Sequence, residues 1–78
     1  MSNSEQEQGE ITGTKDRVFN LLWFIQACLD NALRLETYVA DAERDGDDAL
    51  ADFFRKAQAD SRKGAQQGKE LLLTRLTN

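Results

Sequence analysis

Histidine and proline are absent from this sequence, and cysteine occurs once. Without histidine the chain lacks the commonest transition-metal ligand and the commonest general base. With Cys28 as the single thiol, no disulfide can form within the chain. A lone thiol also suits a reducing compartment. Basic residues are outnumbered, 10 against 14 acidic ones, for a net charge of −4. Attraction to phosphate is the main sequence-independent term in nucleic-acid binding, so nucleic acid is not an expected partner. A bilayer span takes roughly 20 apolar residues. The most apolar stretch here, Val18 to Leu29, is shorter and is broken by Asn20 and Gln26. The polar, acidic N-terminus has no basic-then-apolar order of a signal peptide. These absences lead to the expectation of a cytoplasmic protein.

Size narrows the reading further. A chain of 78 residues is one small domain and has difficulty burying enough apolar area alone. Disulfides, metals or oligomerisation usually supply the missing support. The first is excluded and the second is short of ligands, which leaves oligomerisation. No grouping of nucleophile, base and orienting residue stands out, so the chain is expected to be non-enzymatic and to need no cofactor.

What is present is helical rhythm. Residues 1–13 are polar and acidic with Ile11 as the one sizeable apolar residue after Met1, and a disordered tail is expected there. Thr14 suits a helix N-cap, with Asp16 in the first turn. From Lys15 to Arg44 there is neither glycine nor proline. Val18, Leu21, Ile25, Cys28, Ala32, Leu35, Val39 and Ala42 recur at alternating steps of three and four, the spacing of a packed helix seam. Leu22, Leu29, Leu33 and Ala40 form a second row beside it. Trp23 and Phe19 fall toward the polar side. Gly46 suits the left-handed position that ends a helix, and Asp47 can cap the next one. Helix one is therefore expected over about 15–45 and helix two over about 48–76. A link this short makes them antiparallel.

Helix two begins with Leu50, Phe53, Phe54 and Ala57, turns small at Ser61, Gly64, Ala65 and Gly68, and ends with Leu71, Leu72, Leu73 and Leu76. A glycine inside a helix costs about 1 kcal/mol relative to alanine. The expected compensation is a notch at Ser61, Gly64 and Gly68 that accepts a bulky ring, with Phe24 as its partner.

Two antiparallel helices share one contact line, and each helix here carries more apolar surface than one line uses. The fold expected is all-α, a two-helix hairpin that dimerises into a four-helix bundle. Phe19, Leu22, Trp23, Phe24 and Leu29 are the expected interface. Asp41, Glu43, Asp45, Asp47, Asp48 and Asp52 crowd the turn with Arg44 opposing, whereas Arg55, Lys56, Arg62, Lys63, Lys69 and Arg75 make the rest of helix two basic. Placing each turn beside the partner's termini matches unlike charges. A membrane-surface role is not expected, because the polar side of helix one lacks lysines and arginines.

The remaining site candidates are few. Glu36 lies within helix one's apolar arc, where a carboxylate is costly unless paired or ligating. Inward glutamates on facing helices are the usual carboxylate metal ligands of a bundle, so Glu36 is a weak metal candidate. Pairing with Arg34, Arg62 or a tyrosine is the competing role. Cys28 in the seam is expected to be buried and inert. Tyr38 is expected at a rim, its hydroxyl wet.

Across about residues 15–76, Glu36-Thr37-Tyr38, Ala42, Gly46-Asp47, Leu50 and Phe53-Phe54 resemble the helical hairpin of ferritin-like proteins. Lys15-Asp16-Arg17-Val18 and Ala51-Asp52-Phe53-Phe54-Arg55 are similar to a pattern in small bacterial helical-hairpin proteins. The resemblance implies a bundle built by dimerising hairpins. That family's metal centre takes a glutamate on the first helix and Glu-x-x-His on the second. The matching positions here are Leu33, Ser61 and Gly64, or Asp60 and Lys63 after a slide of one residue, so the resemblance carries the scaffold without the di-iron chemistry. Two functions follow as expectations. One is a homodimeric structural or protein-interaction module. The other is a ferritin-like metal-binding or storage-related protein that uses Glu36 from both subunits.

Overall fold

A computed structural model describes residues 17–77. The expected tail at residues 1–13, the Thr14 cap and Asp16 lie outside the described residues. Two helices make up the fold, α1 (Arg17–Arg44) and α2 (Asp48–Thr77). They pack antiparallel, so that Asn31 lies beside Ser61 and Ile25 beside Gly68. Helix one ends one residue earlier than expected, at Arg44, and helix two runs one residue further, to Thr77. Among the described residues, no helix is long and apolar enough to cross a membrane.

Three residues make the reversal. Gly46 takes a left-handed backbone with φ of 76°. Its N–H donates to the Glu43 carbonyl at 3.0 Å, and the Asp47 N–H donates to the Ala42 carbonyl at 2.9 Å. This pair of bonds is the Schellman arrangement, which satisfies carbonyls that the end of a helix would otherwise leave open. Asp47 then caps α2: the Leu50 N–H donates to its Oδ1 at 3.1 Å. One short segment therefore closes one helix and opens the next, and it fixes the register between them.

The seam of α1 is the three-four row. Ile25, Ala32, Leu35 and Ala42 are buried, and Val18, Leu21, Cys28 and Val39 are half-buried between them. Cys28 is thus less covered than the fully buried position expected for it, because the small residues opposite do not wrap its sulfur. On α2 the buried positions are Ala51, Ala65 and Gly68. Ala51 is the most buried residue in the core, at 1% exposure, while its large neighbours Phe53 and Leu50 face outward at 63% and 40%. The strong apolar start of α2 therefore does not set the contact line.

Small residues at the seam let the two helices approach closely. The two interior glycines serve that approach. A Cβ on Gly68 would stand 2.7 Å from Ile25 Cγ1, and one on Gly64 would stand 3.2 Å from Cys28 Sγ and 3.5 Å from the ring of Phe24. The Phe24 ring does reach the notch at Gly64. The tightest approach belongs to Ile25 at Gly68, which the spacing had not singled out.

Two polar side chains cross the seam. Gln58 Nε2 donates to the Ala32 carbonyl at 2.9 Å, half-buried, and Asn31 Nδ2 donates to Ser61 Oγ at 2.8 Å. Each satisfies its donor and ties one helix to the other at a defined height. Near the turn, Arg55 pairs with Glu43 across the two helices and with Asp52 at 2.8 Å on its own. Arg44 pairs with Asp41. These exposed pairs add little stability. They do neutralise part of the acidic turn.

Candidate association surface

Large apolar side chains lie outside the seam. Leu22, Trp23, Phe24, Leu29, Leu33, Tyr38, Leu50, Phe53, Leu71, Leu73 and Leu76 are all exposed, whereas four of the six buried hydrophobic residues are alanines. This distribution follows from the close approach. When the contact line is built from alanine and glycine, bulky residues are pushed to the flanks, where a single neighbouring helix cannot cover them.

The expected interface residues divide among three places. Phe24 lies on one flank of the hairpin, with Leu21, Leu71, Arg17, Asn20 and Arg75 around a shallow cleft of about 340 Å³. Leu22 and Leu29 lie one heptad apart on a different side of α1, in a row with Leu33. Trp23, at 61% exposure, and Phe19 form an edge-to-face pair at 6.1 Å on the back of α1, away from α2. Within one hairpin, Phe24 lies on a different side of α1 from Leu22 and Leu29.

The Phe24 flank continues along the molecule. Phe24, Cys28, Asn31 and Ser61 line a second depression near the middle. Toward the turn, Tyr38, Ala42, Leu50 and Phe54 line a third, of about 270 Å³, with Asp41 and Asp45 at its edge. Tyr38 packs on Phe54 at 5.4 Å between ring centroids, and Phe54 packs on Phe53 at 5.7 Å. Tyr38 is a rim residue, as its pattern suggested. The flank therefore reads, from open end to turn, as an apolar patch edged by arginines, a polar middle, and an aromatic patch edged by aspartates.

Glu36 is exposed, and the ion pairs formed by the described residues do not include it. It sits beside the seam rather than inside it, so its carboxylate stays hydrated. Pairing with Arg34 or Arg62 is not seen within the hairpin. Among the described residues, no group of three or more histidine, cysteine, aspartate or glutamate side chains gathers where a metal ion would sit. Sequence reasoning missed Asn31, Gln58 and Ala51. The first two are polar residues close to an apolar row, a signal for bonds across the seam, while Ala51 is hidden by its larger neighbours. Compared with known proteins, the chain matches no family model, no curated protein and no solved structure at a significant level.

Proposed function

We propose that this chain is a non-enzymatic structural or protein-interaction module that works as a homodimer, with two hairpins closing into a four-helix bundle. The observation that supports this reading is the inverted distribution of size. Alanine and glycine make up most of the buried seam beside Ile25 and Leu35, and Phe24, Phe53, Trp23 and seven exposed leucines lie outside it. The part of this surface on the Phe24 flank, around Leu21, Phe24 and Leu71 and around Tyr38, Leu50 and Phe54, is of the kind that marks an association site. Dimerisation gives each helix a second neighbour and turns the flank into core. The lone half-buried thiol and the acidic balance fit a cytoplasmic setting without a nucleic-acid partner.

Native mass spectrometry of the full chain, across a concentration series, tests the reading. A dimer that dissociates only on dilution is expected. A monomer at all concentrations would overturn it.

A further inference from the structure

The Phe24 flank has a regularity that neither helix shows alone. On α1 and the turn, Arg17, Phe24, Asn31, Tyr38 and Asp45 are spaced seven residues apart. On α2 and its cap, Asp47, Phe54, Ser61, Gly68 and Arg75 are spaced the same way. A heptad row stays on one face of a packed helix pair. Asn31 and Ser61 are hydrogen-bonded at 2.8 Å, and each is the midpoint of its row. Fourteen residues to either side of each midpoint stands a charge, arginine at the open end and aspartate at the turn. Each row is thus complementary to its own reverse.

Resting on the homodimer reading, we infer that the Phe24 flank is the dimer interface, with the two-fold axis passing through the Asn31–Ser61 bridge at right angles to the helices. The axis lays each helix antiparallel on the same helix of the second copy. Arg17 meets the turn-end aspartate of the partner's matching row, and Arg75 does likewise on α2. Phe24 falls opposite the partner ring one heptad beyond the midpoint. The midpoints, being polar, meet each other and fix the register, the usual role of a polar residue in an otherwise apolar seam. The alternative axis, parallel to the helices, stacks turn on turn. It sets Asp45 and Asp47 against like charges, which is costly.

The area agrees. A stable dimer buries about 800 Å² per partner, some 60% of it apolar. Phe24, Tyr38, Leu50, Phe53 and Leu71 are each 40–63% exposed. With roughly 100 Å² left open on each, from totals of about 150–250 Å² for a large side chain, they supply on the order of 500 Å². The polar middle and charged edges supply the rest. On the opposite side the α1 row Lys15, Leu22, Leu29, Glu36 and Glu43 also runs from basic to acidic, but its midpoint is Leu29, without the polar bridge to α2 that Asn31 makes to Ser61.

The experiment uses the full chain with Cys28→Ala, carrying either Asn31→Cys on the proposed axis or Leu33→Cys on the opposite side, treated with a short bis-maleimide. Crosslinked dimer from Asn31→Cys alone is expected. Any other crosslinking pattern in a variant that native mass spectrometry finds dimeric overturns this face and leaves the dimer reading standing; a parent chain that is monomeric overturns both. As a second readout of register, Arg17→Glu and Asp45→Arg should each raise the dimer Kd roughly tenfold, since each contact occurs twice. The double variant should return it to near the starting value. Failure of that rescue overturns the register.

Discussion

Cγ1 of Ile25 stands 2.7 Å from the point that a Cβ on Gly68 would occupy. The contact is with the branched stem of the side chain, not a flexible tip, so an added methyl forces one helix to move. Gly68→Ala gains about 1 kcal/mol of helix propensity and loses about 1–3 kcal/mol to overpacking. Net destabilisation is expected in thermal unfolding followed by circular dichroism. The loss should shrink in an Ile25→Ala background, because the two changes share one contact. Additive losses would show that Gly68 is not there for Ile25.

Gly64→Ala is expected to be milder. Its new Cβ would meet Cys28 Sγ at 3.2 Å and the Phe24 ring at 3.5 Å, contacts that yield with a small side-chain shift. The order Gly64→Ala above Gly68→Ala in melting temperature is the outcome to check; the reverse order contradicts the seam geometry.

The turn predicts two separable losses. Gly46 has φ of 76°, a region that costs an L-residue roughly 1–2 kcal/mol, so Gly46→Ala should destabilise by about that amount. Asp47→Ala removes the bond from the Leu50 N–H and should cost about 1 kcal/mol. Denaturant midpoints with an unchanged slope would identify both as local losses of stability.

Gln58 offers a test that depends on pH. Its Nε2 donates to the Ala32 carbonyl at 2.9 Å. In Gln58→Glu the ionised side chain has no proton to give, and it faces a carbonyl oxygen while half-buried. The neutral acid can donate. The folded state therefore favours the protonated form, so the penalty relative to the parent chain is small below the ordinary glutamate range near about 4.3 and grows as pH rises through it. A penalty independent of pH between 3 and 7, on the order of one transition either side of that range, would mean that the bond does not matter.

Trp23 reports on the face used. It lies on the back of α1 at 61% exposure, away from the Phe24 flank. Its emission maximum and its quenching by acrylamide should stay constant from dilute monomer to concentrated dimer. A blue shift on association would place the interface on the Phe19–Trp23 side instead.

The seam of α1 was legible residue by residue, because a buried stripe on a helix must repeat at three and four, and Val18 to Ala42 does so without interruption. The turn was legible because Gly46 and Asp47 have few other reasons to stand together. Helix two was legible as a helix and at its small notch, where Gly64 meets the Phe24 ring, but not at its start. Phe53, Phe54 and Leu50 outrank Ala51 in any hydrophobicity count, yet Ala51 is the residue at the contact. The Phe24 flank was less legible still, since its members are spread over both helices and the turn.

The sequence by itself determined two helices, their limits to within a residue or two where the structure describes them, their antiparallel course and the line along which α1 packs. Those depend on local spacing, capping and the length of the link. Tertiary structure alone decided that Ala51, not Leu50 or Phe53, meets that line at the start of α2, and so which large residues remain outside. The reason is steric: close approach rewards the smallest side chains, so hydrophobicity and burial part company at the seam, and only the packed pair reveals which residues give way.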